Sequence, residues 1–372
     1  MSKSTLWFMK KNKLSIVGIQ GIPNNYGGFE TLAEYLVTYL SNDFDITVYC
    51  SSKDLTTKLK RWNGAQLKYI PISSHSVGGI IYDSLALIHA CFNSDKILFL
   101  GFGGGFVIPF LKKFKPKIIL NFGGLDWKRD KWSTKTQRAI KTAEKNLVKY
   151  SAVVISDNTG IQNYIKEEYN IDAPLIAYGG DQAQNIAVTK EYQDKYPFLP
   201  GEYAFTVTRI QSDNNIEMIL DAFKFSRDLP IVIVGNWSNS KYGIKTKSKY
   251  QNHDKLILLD AIYDRKVLDV LRSNCTLYIH GHSAGGTNPS LCEAMYLGLP
   301  VVAFSSGYNE FTTGNNAVYF RNTEELTAII NNKNLLNLKE IGNNVKVIAE
   351  KLYIWAKIAS QYKEIIIKET IC

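Results

Sequence analysis

The sequence predicts an α/β protein of two doubly wound domains, each a mainly parallel sheet covered by helices. Three observations predict it. Short apolar strands alternate with segments of helical spacing almost throughout the chain. The alternation occurs twice, on either side of a polar break. The chain is also long, at 372 residues, and two domains of roughly 150–200 residues each are expected at that length.

In the first half LSIVGIQ, ITVYC, KILFL, KIIL and AVVIS read as strands, and in the second half YAFTVTRI, IVIVG, KLILL, CTLYIH and VVAF do. FETLAEYLVTYL, NIEMILDAF, RKVLDVL and SLCEAMYLG carry helical spacing between them. The break lies from Asp181 to Tyr203, a polar stretch with two prolines. The expected domains are therefore 1–190 and 191–350, followed by a final helical segment at 351–372. Open α/β sheets bind ligands beyond the carboxyl ends of their strands. A motif therefore counts as a site only if it follows a strand.

Composition narrows the classes. Hydrophobic residues make up 45% and charged residues 21%, which is globular rather than disordered. The five cysteines (Cys50, Cys91, Cys275, Cys292 and Cys372) are scattered and form no CxxC. That argues against a disulfide framework or a zinc site and fits a reducing cytoplasm. The opening MSKSTLWFMKKNKLSIVGIQ lacks the apolar core and cleavage site of a signal peptide. The longest apolar run, Ile97 to Leu111, is shorter than the ~20 residues that span a bilayer. The formal charge is +10 and uneven: 12 Lys/Arg against three acids lie between Lys112 and Lys149, including Lys128, Arg129 and Lys131. From Lys135 to Lys149 the bases recur at three- or four-residue steps, on one helical face. Such a face is either simply solvated or a surface for anionic lipid headgroups. Nothing resembles a nucleic-acid-binding motif.

Several loops pass the strand-end filter. GIQGIPNNYGGFE (Gly18 to Glu30) follows the first strand and opens the first helix; Gly27 and Gly28 let backbone N–H groups approach a phosphate or a sugar. Its spacing is not a dinucleotide fingerprint. GFGGG (Gly101 to Gly105) also follows a strand and gives no sign of NAD. Arg209 ends YAFTVTRI, where a guanidinium suits a diphosphate. One of Asp213, Asn214 and Asn215 is expected to cap the next helix. Gly235 and Asn236 follow IVIVG, in a position for a base or ribose. The DFD of Asp43 and Asp45 lies before its strand, at the wrong end of the sheet for a metal site.

HGHSAGGTNPSLCEAM (His280 to Met295) follows CTLYIH. Two registers are open for the helix it begins. In one, Asn288 caps and Pro289 takes the first helical position, leaving Glu293 in the second turn to accept from a diol. In the other, Ser290 and Glu293 form a capping box.

These segments together resemble retaining glycosyltransferases of the GT-B fold, family 4. NPSLCEAMYLGLPVVAF carries that family's Glu-bearing helix and Gly-x-Pro-Val turn. GIQGIPNNYGGFETLAEYL, GLDWKRDKW, ISDNTGIQNYI, GHSAGGTNPSLCEAM and YIWAKIASQY resemble its bacterial rhamnosyltransferase branch, over nearly the whole chain. The resemblance implies two Rossmann-like domains facing across a crevice, with the C-terminal helix (about Val345 to Glu369) crossing back to the first domain. Its stripe of Leu352, Ile354, Trp355, Ile358 and Tyr362 then reads as packing. It implies transfer of a sugar, rhamnose from dTDP-rhamnose, onto a lipid-linked saccharide in bacterial capsule, cell-wall or exopolysaccharide synthesis. No metal and no further cofactor are implied, and the protein would sit peripherally on the cytoplasmic face of the plasma membrane.

By the same resemblance Glu293 binds the donor ribose and Arg209 neutralises the leaving diphosphate. Backbone from Thr287 through Asn288, Pro289 and Ser290 to Leu291 holds phosphate, and Asn214 and Gly235 complete the donor site. Gly27, Gly28, Phe29 and Glu30 meet the sugar and acceptor. Three positions depart from the family. Gly285 stands where a glutamate is usual, eight residues before Glu293, and Asn214 where a lysine is common, five after Arg209. Gly123 stands nearest the place of an active-site histidine or acid. Asp126 and His282 are the nearby candidates for acceptor or sugar contacts. A nucleotide-sugar epimerase of this fold and a non-catalytic glycan-binding partner are the competing readings.

Overall fold

A computed structural model describes residues 11–23, 27–128 and 132–371. The opening ten residues, the centre of the Gly18–Glu30 loop (24–26), Arg129, Lys131 and Cys372 lie outside them. The chain divides into two compact units. Unit 1 comprises residues up to Gly123, then Thr134–Ile155 and the stretch from Ala359. Unit 2 comprises Gly124–Ser133 and Ser156–Ile358. The division falls after Ile155, whereas the composition break begins at Asp181.

Unit 1 holds β1 (Asn12–Val17), α1 (Gly28–Leu40), β2 (Phe44–Ser51), β3 (Arg61–Trp62), β4 (Ala65–Ile70), α2 (Ser76–Asn93), β5 (Lys96–Leu100), β6 (Ile118–Asn121), α3 (Thr134–Lys149) and β7 (Val153–Ile155). The sheet order is β3-β4-β2-β1-β5-β6-β7, parallel except for β3 against β4. That hairpin is absent from the sequence reading. Its signal is Asn63-Gly64, where both residues take positive φ (42° and 91°), the pair favoured in tight hairpin turns. β5 is buried at every position, as strands covered on both faces are.

Unit 2 holds α4 (Thr159–Tyr169), α5 (Lys190–Lys195), β8 (Ala204–Val207), α6 (Ile216–Lys224), β9 (Ile231–Val234), α7 (Lys241–Tyr250), β10 (Leu256–Leu259), α8 (Arg265–Ser273), β11 (Leu277–His280), α9 (Pro289–Tyr296), β12 (Val301–Phe304), α10 (Tyr308–Thr313), β13 (Val318–Phe320), α11 (Thr323–Asn331) and α12 (Leu338–Leu352). Its sheet is wholly parallel, in the order β10-β9-β8-β11-β12-β13. The order reverses between β8 and β11, which is where a doubly wound sheet opens a ligand-binding crevice at the carboxyl ends. In unit 1 the corresponding reversal is between β1 and β5.

The last helical stretch is two helices rather than one. α12 ends at Leu352 and α13 runs Trp355–Ile371. Tyr353 and Ile354 interrupt it, and Leu352 is exposed while Trp355, Ile358 and Tyr362 are buried. The break satisfies groups around it: Trp355 donates from its backbone to Asp181 and from its indole to Gln182 Oε1, at 2.9 and 2.6 Å. From Ala359 onward α13 belongs to unit 1, where Lys363 pairs with Asp43 at 2.7 Å. Asp43, the first acid of DFD, is thus an ion-pair partner at the amino end of β2. Among the described residues, no helix is long and apolar enough to cross a membrane.

Candidate functional site

In unit 2 the loops after β8 and β11 are neighbours because their strands pair directly. β8 ends at Val207, so Arg209 lies two residues past the strand and is exposed. Asn214 ties this loop to the other one. Its amide donates to the Arg209 carbonyl at 2.7 Å, and its Oδ1 lies 2.8 Å from His282 Nδ1. Asp213 accepts from the Ser283 backbone at 2.9 Å. Asn214 is therefore buried inside the loop framework, where it orients His282. Asn215, not Asn214, takes the N-cap position of α6, in a left-handed conformation and without a side-chain cap.

His282 is itself buried, and Asn309 donates to its carbonyl at 2.9 Å. The next histidine inward, His280, is pushed down to about 3 by burial and by His282, so it stays neutral. Gly235 has a packing reason of its own. A Cβ there would fall 2.6 Å from both the Thr208 carbonyl and Ile210 Cδ1, so the backbone of β9 needs glycine to approach the β8 loop.

α9 resolves the two cap registers. Asn288 is the cap, accepting from Ser290 N at 3.0 Å, and Pro289 is the first helical residue. Ser290 is inside the helix, and its hydroxyl donates to Asn288 at 2.8 Å. Glu293 falls in the second turn but is not free, contrary to the expectation. Its Oε1 accepts from Gln182 Nε2 at 2.6 Å, and its Oε2 from Arg272 Nη1 of α8. Arg272 is fully enclosed, and burial opposes its charge. Glu293, Tyr278 and Asp269 outweigh that, and its pKa lies above the usual value. The carboxylate is thereby fixed with its side chain still 18% exposed. The sequence reading missed Arg272 and Gln182; an arginine closing an otherwise amphipathic helix gives little sign of facing inward.

The glycines before α9 explain the missing glutamate. Gly285 has φ +104°, and a Cβ there would sit 3.1 Å from Gly124 Cα. Gly286 is tighter still: its Cβ would meet Asp157 Oδ1 at 1.9 Å. Asp157 follows the bridge residue Ser156, and among the described residues its Oδ1 has no hydrogen-bond partner. Burial pushes it up to about 8, against hydrogen bonds from its own N–H and that of Thr287. Thr287 donates its hydroxyl to the Asp157 carbonyl at 2.5 Å. Leu291 is buried in the core beneath α9. Asp126 opens a 3-10 turn (Asp126–Lys128) two residues after Gly124, and so is brought near this loop.

In unit 1 the loops at the β1–β5 reversal carry a second group. Gly27 caps α1, and Glu30 is buried in its first turn, accepting from Gln20 N at 2.8 Å. Phe29 lies over Gly123, whose φ is +62° and whose Cβ would approach the ring to 2.6 Å. The position of the expected histidine is thus filled by an aromatic ring from another segment. Asp83 of α2 is a neighbour that sequence reasoning missed. Burial and then the charge of Glu30 push it up to about 8. The signal was available, since Asp83 is the single acid in the otherwise apolar SVGGIIYDSLALIHACFN.

With this geometry in view, two family profiles match the chain. Residues 11–181 match a domain of unknown function, DUF1972, and residues 188–337 match glycosyl transferases group 1. Among solved structures, sucrose-phosphate synthase from Thermosynechococcus elongatus superposes with TM-score 0.80 at 15% identity, over 96% of this chain and 99% of that one. Anabaena HepE in complex with UDP-glucose gives 0.74 at 13% identity, over 96% and 100%. Trehalose 6-phosphate synthase from Burkholderia multivorans gives 0.72 at 8%, over 97% and 99%. The chain has the GT-B fold, and its second half matches glycosyl transferases group 1. A search of curated proteins gives no match. The group 1 profile covers β8 to α11, so Arg209, Asn214, Gly235, His282 and the α9 segment all lie within that match. Glu30, Asp83 and Phe29 lie within the other match.

Proposed function

We propose that the protein is a glycosyltransferase that moves a sugar from a nucleotide diphosphate donor, rhamnose from dTDP-rhamnose, onto a lipid-linked saccharide with retention and without a metal. The observation that carries the donor assignment is the reversal between β8 and β11. It sets the loop that carries the exposed Arg209 beside a glycine-rich loop that ends in the N-terminus of α9. The positive end of the α9 dipole and an arginine are complementary to a diphosphate. They stabilise the charge that develops as it leaves. Glu293, held by Arg272 and Gln182, presents a fixed acceptor for a ribose diol. HepE, a structure of similar fold, holds UDP-glucose, which supports a nucleotide-sugar donor here. Rhamnose and the lipid-linked acceptor rest on the resemblance of the quoted motifs.

The acceptor falls to unit 1 in this reading, at the loops of Gly27, Gly28, Phe29 and Glu30 with Asp83. The nearest histidine candidate, His282, is locked to Asn214 and acts through loop geometry. A nucleotide panel read by thermal shift tests the donor assignment. At 100 times its dissociation constant, dTDP should add about 2.7 kcal/mol. If neither thymidine nor uridine diphosphate shifts unfolding, the donor site is not where we place it. Product analysis with donor alone separates transfer from epimerisation, because an epimerase converts the sugar nucleotide without acceptor.

A further inference from the structure

α2 presents an apolar stripe to solvent. Val77, Ile81, Leu85 and Phe92 are all exposed, and at helical spacing they fall within one narrow face. An exposed apolar row of this kind on one helix marks an interaction surface more than scattered single residues do. The 3-10 segment Ile108–Lys117 continues it with Phe110, which is 85% exposed. The two are packed together: Phe92 and Phe114 meet edge to face at 4.9 Å, and Lys117 Nζ donates to the Ser94 carbonyl at 2.7 Å.

The same elements are strongly basic outside. Lys112, Lys113 and Lys115 are exposed around Phe110. α3 adjoins through the Gly103–Phe106 turn, where Asn146 donates to the Gly105 carbonyl at 3.0 Å. α3 buries Ala143, Glu144, Leu147 and Val148 and turns Lys135, Arg138, Lys145 and Lys149 outward. α2, α3 and the segment between Gly103 and Lys117 contain two acids, Asp83 and Glu144. Both are spent internally, Asp83 beneath Gly103 and Glu144 fully buried with Lys141 at 2.9 Å. The surface therefore combines exposed aromatic and aliphatic side chains with unopposed positive charge.

We infer that this face of unit 1 docks on an anionic lipid bilayer, with Phe92, Phe110 and the α2 stripe entering the interface and the flanking lysines on the headgroups. Charge complementarity selects the occupant: a second copy would bring the same lysines against each other, whereas anionic lipid neutralises them. Apolar burial and headgroup attraction act together at such surfaces. The inference deepens the lipid-linked reading and rests on it for its purpose. The test needs neither donor nor acceptor, so either can fail alone.

The test is sedimentation of the full chain with vesicles of phosphatidylcholine, with or without about one third phosphatidylglycerol. Binding is expected only with phosphatidylglycerol and weakens with salt. Phe92→Ser with Phe110→Ser should weaken it at least about tenfold. Lys112→Glu with Lys113→Glu should weaken it by about 25-fold or more, from about fivefold per basic residue. Lys241→Glu with Lys245→Glu, on α7 of unit 2, should leave it close to wild type. Unfolding midpoints check that each variant folds. Failure to bind phosphatidylglycerol vesicles, equal weakening by the α7 pair, or a dimer abolished by Phe110→Ser would overturn the inference.

Discussion

Arg272 of α8 donates to Glu293 of α9 from a fully enclosed position, so Glu293 is oriented by a buried cation. Asp269, pushed up to about 6 chiefly by burial, lies 4.0 Å from the same guanidinium. Removing one partner of such a pair strands the other in a poor solvent. Arg272→Met should therefore destabilise the protein by about 3–5 kcal/mol. Chemical denaturation measures this. Glu293→Gln keeps the shape and a hydrogen bond to Gln182 but leaves the buried Arg272 charge without its carboxylate, so it should lose stability as well as donor affinity. Isothermal titration with the nucleotide separates the two effects; an Arg272→Met variant of wild-type stability would show the pair to be dispensable.

Gly123 is fixed by Phe29 and by its own backbone. Gly123→Ala should cost about 1–2 kcal/mol for the left-handed conformation and about 1–3 more for crowding the ring. Phe29→Ala in the same chain should recover the crowding part only. Gly123→His should not restore a family-like active site, because the ring occupies its place. Thermal unfolding of the single and double variants decides this; additive losses would mean that the two residues do not touch.

Asp83 and Asp157 give stability a defined pH dependence. Both are raised to about 8 in the folded protein, well above the unfolded carboxyl range. Between about pH 4 and 8 the folded state keeps protons that the unfolded state loses, so stability falls as pH rises. Each group contributes a slope of at most about 1.4 kcal/mol per pH unit. Asp83→Asn and Asp157→Asn should each flatten the decline. Denaturation at pH 5, 6.5 and 8 reads it; parallel curves for wild type and both variants would refute the shifted protons.

Gly286→Ala should be among the most damaging single-methyl changes in unit 2. Its Cβ meets the Asp157 carboxyl, which is itself enclosed. Overpacking of this kind costs about 1–3 kcal/mol. Gly285→Glu should lower both stability and activity, since that position combines φ +104° with the nearby Gly124 backbone. An active, stable Gly285→Glu variant would show the loop to be more accommodating than its geometry.

The strand ends were legible because their apolar runs are short and bounded. Both Arg209 and the α9 loop read as strand-end positions, and the pairing of β8 with β11 makes their loops neighbours. Asn288 and Pro289 also carried a readable cap, although Ser290 with Glu293 mimicked a second one. What could not be read were partners distant in sequence. Arg272 looks like the last residue of a surface helix, and only the packing of α8 on α9 turns it inward. Gly123 was visible as a departure, but its reason, the Phe29 ring, comes from the first helix. The split between α12 and α13 has no glycine or proline at Tyr353–Ile354 to announce it. Asn63-Gly64 does announce its hairpin, but β3 on one side of it is only two residues long and carries no periodic pattern.

Arg209 tests the central claim most directly. Purified protein is incubated with a panel of sugar nucleotides and polyprenyl-pyrophosphate saccharides, and products are read by mass spectrometry, for wild type and Arg209→Ala. The account predicts transfer of one sugar from a nucleotide diphosphate donor, dTDP-rhamnose first among them. It predicts a loss of about 10²–10³ in rate without the arginine, the scale of one preorganised charge stabiliser. Transfer at undiminished rate in Arg209→Ala would contradict it, as would the absence of any acceptor-dependent product from every donor.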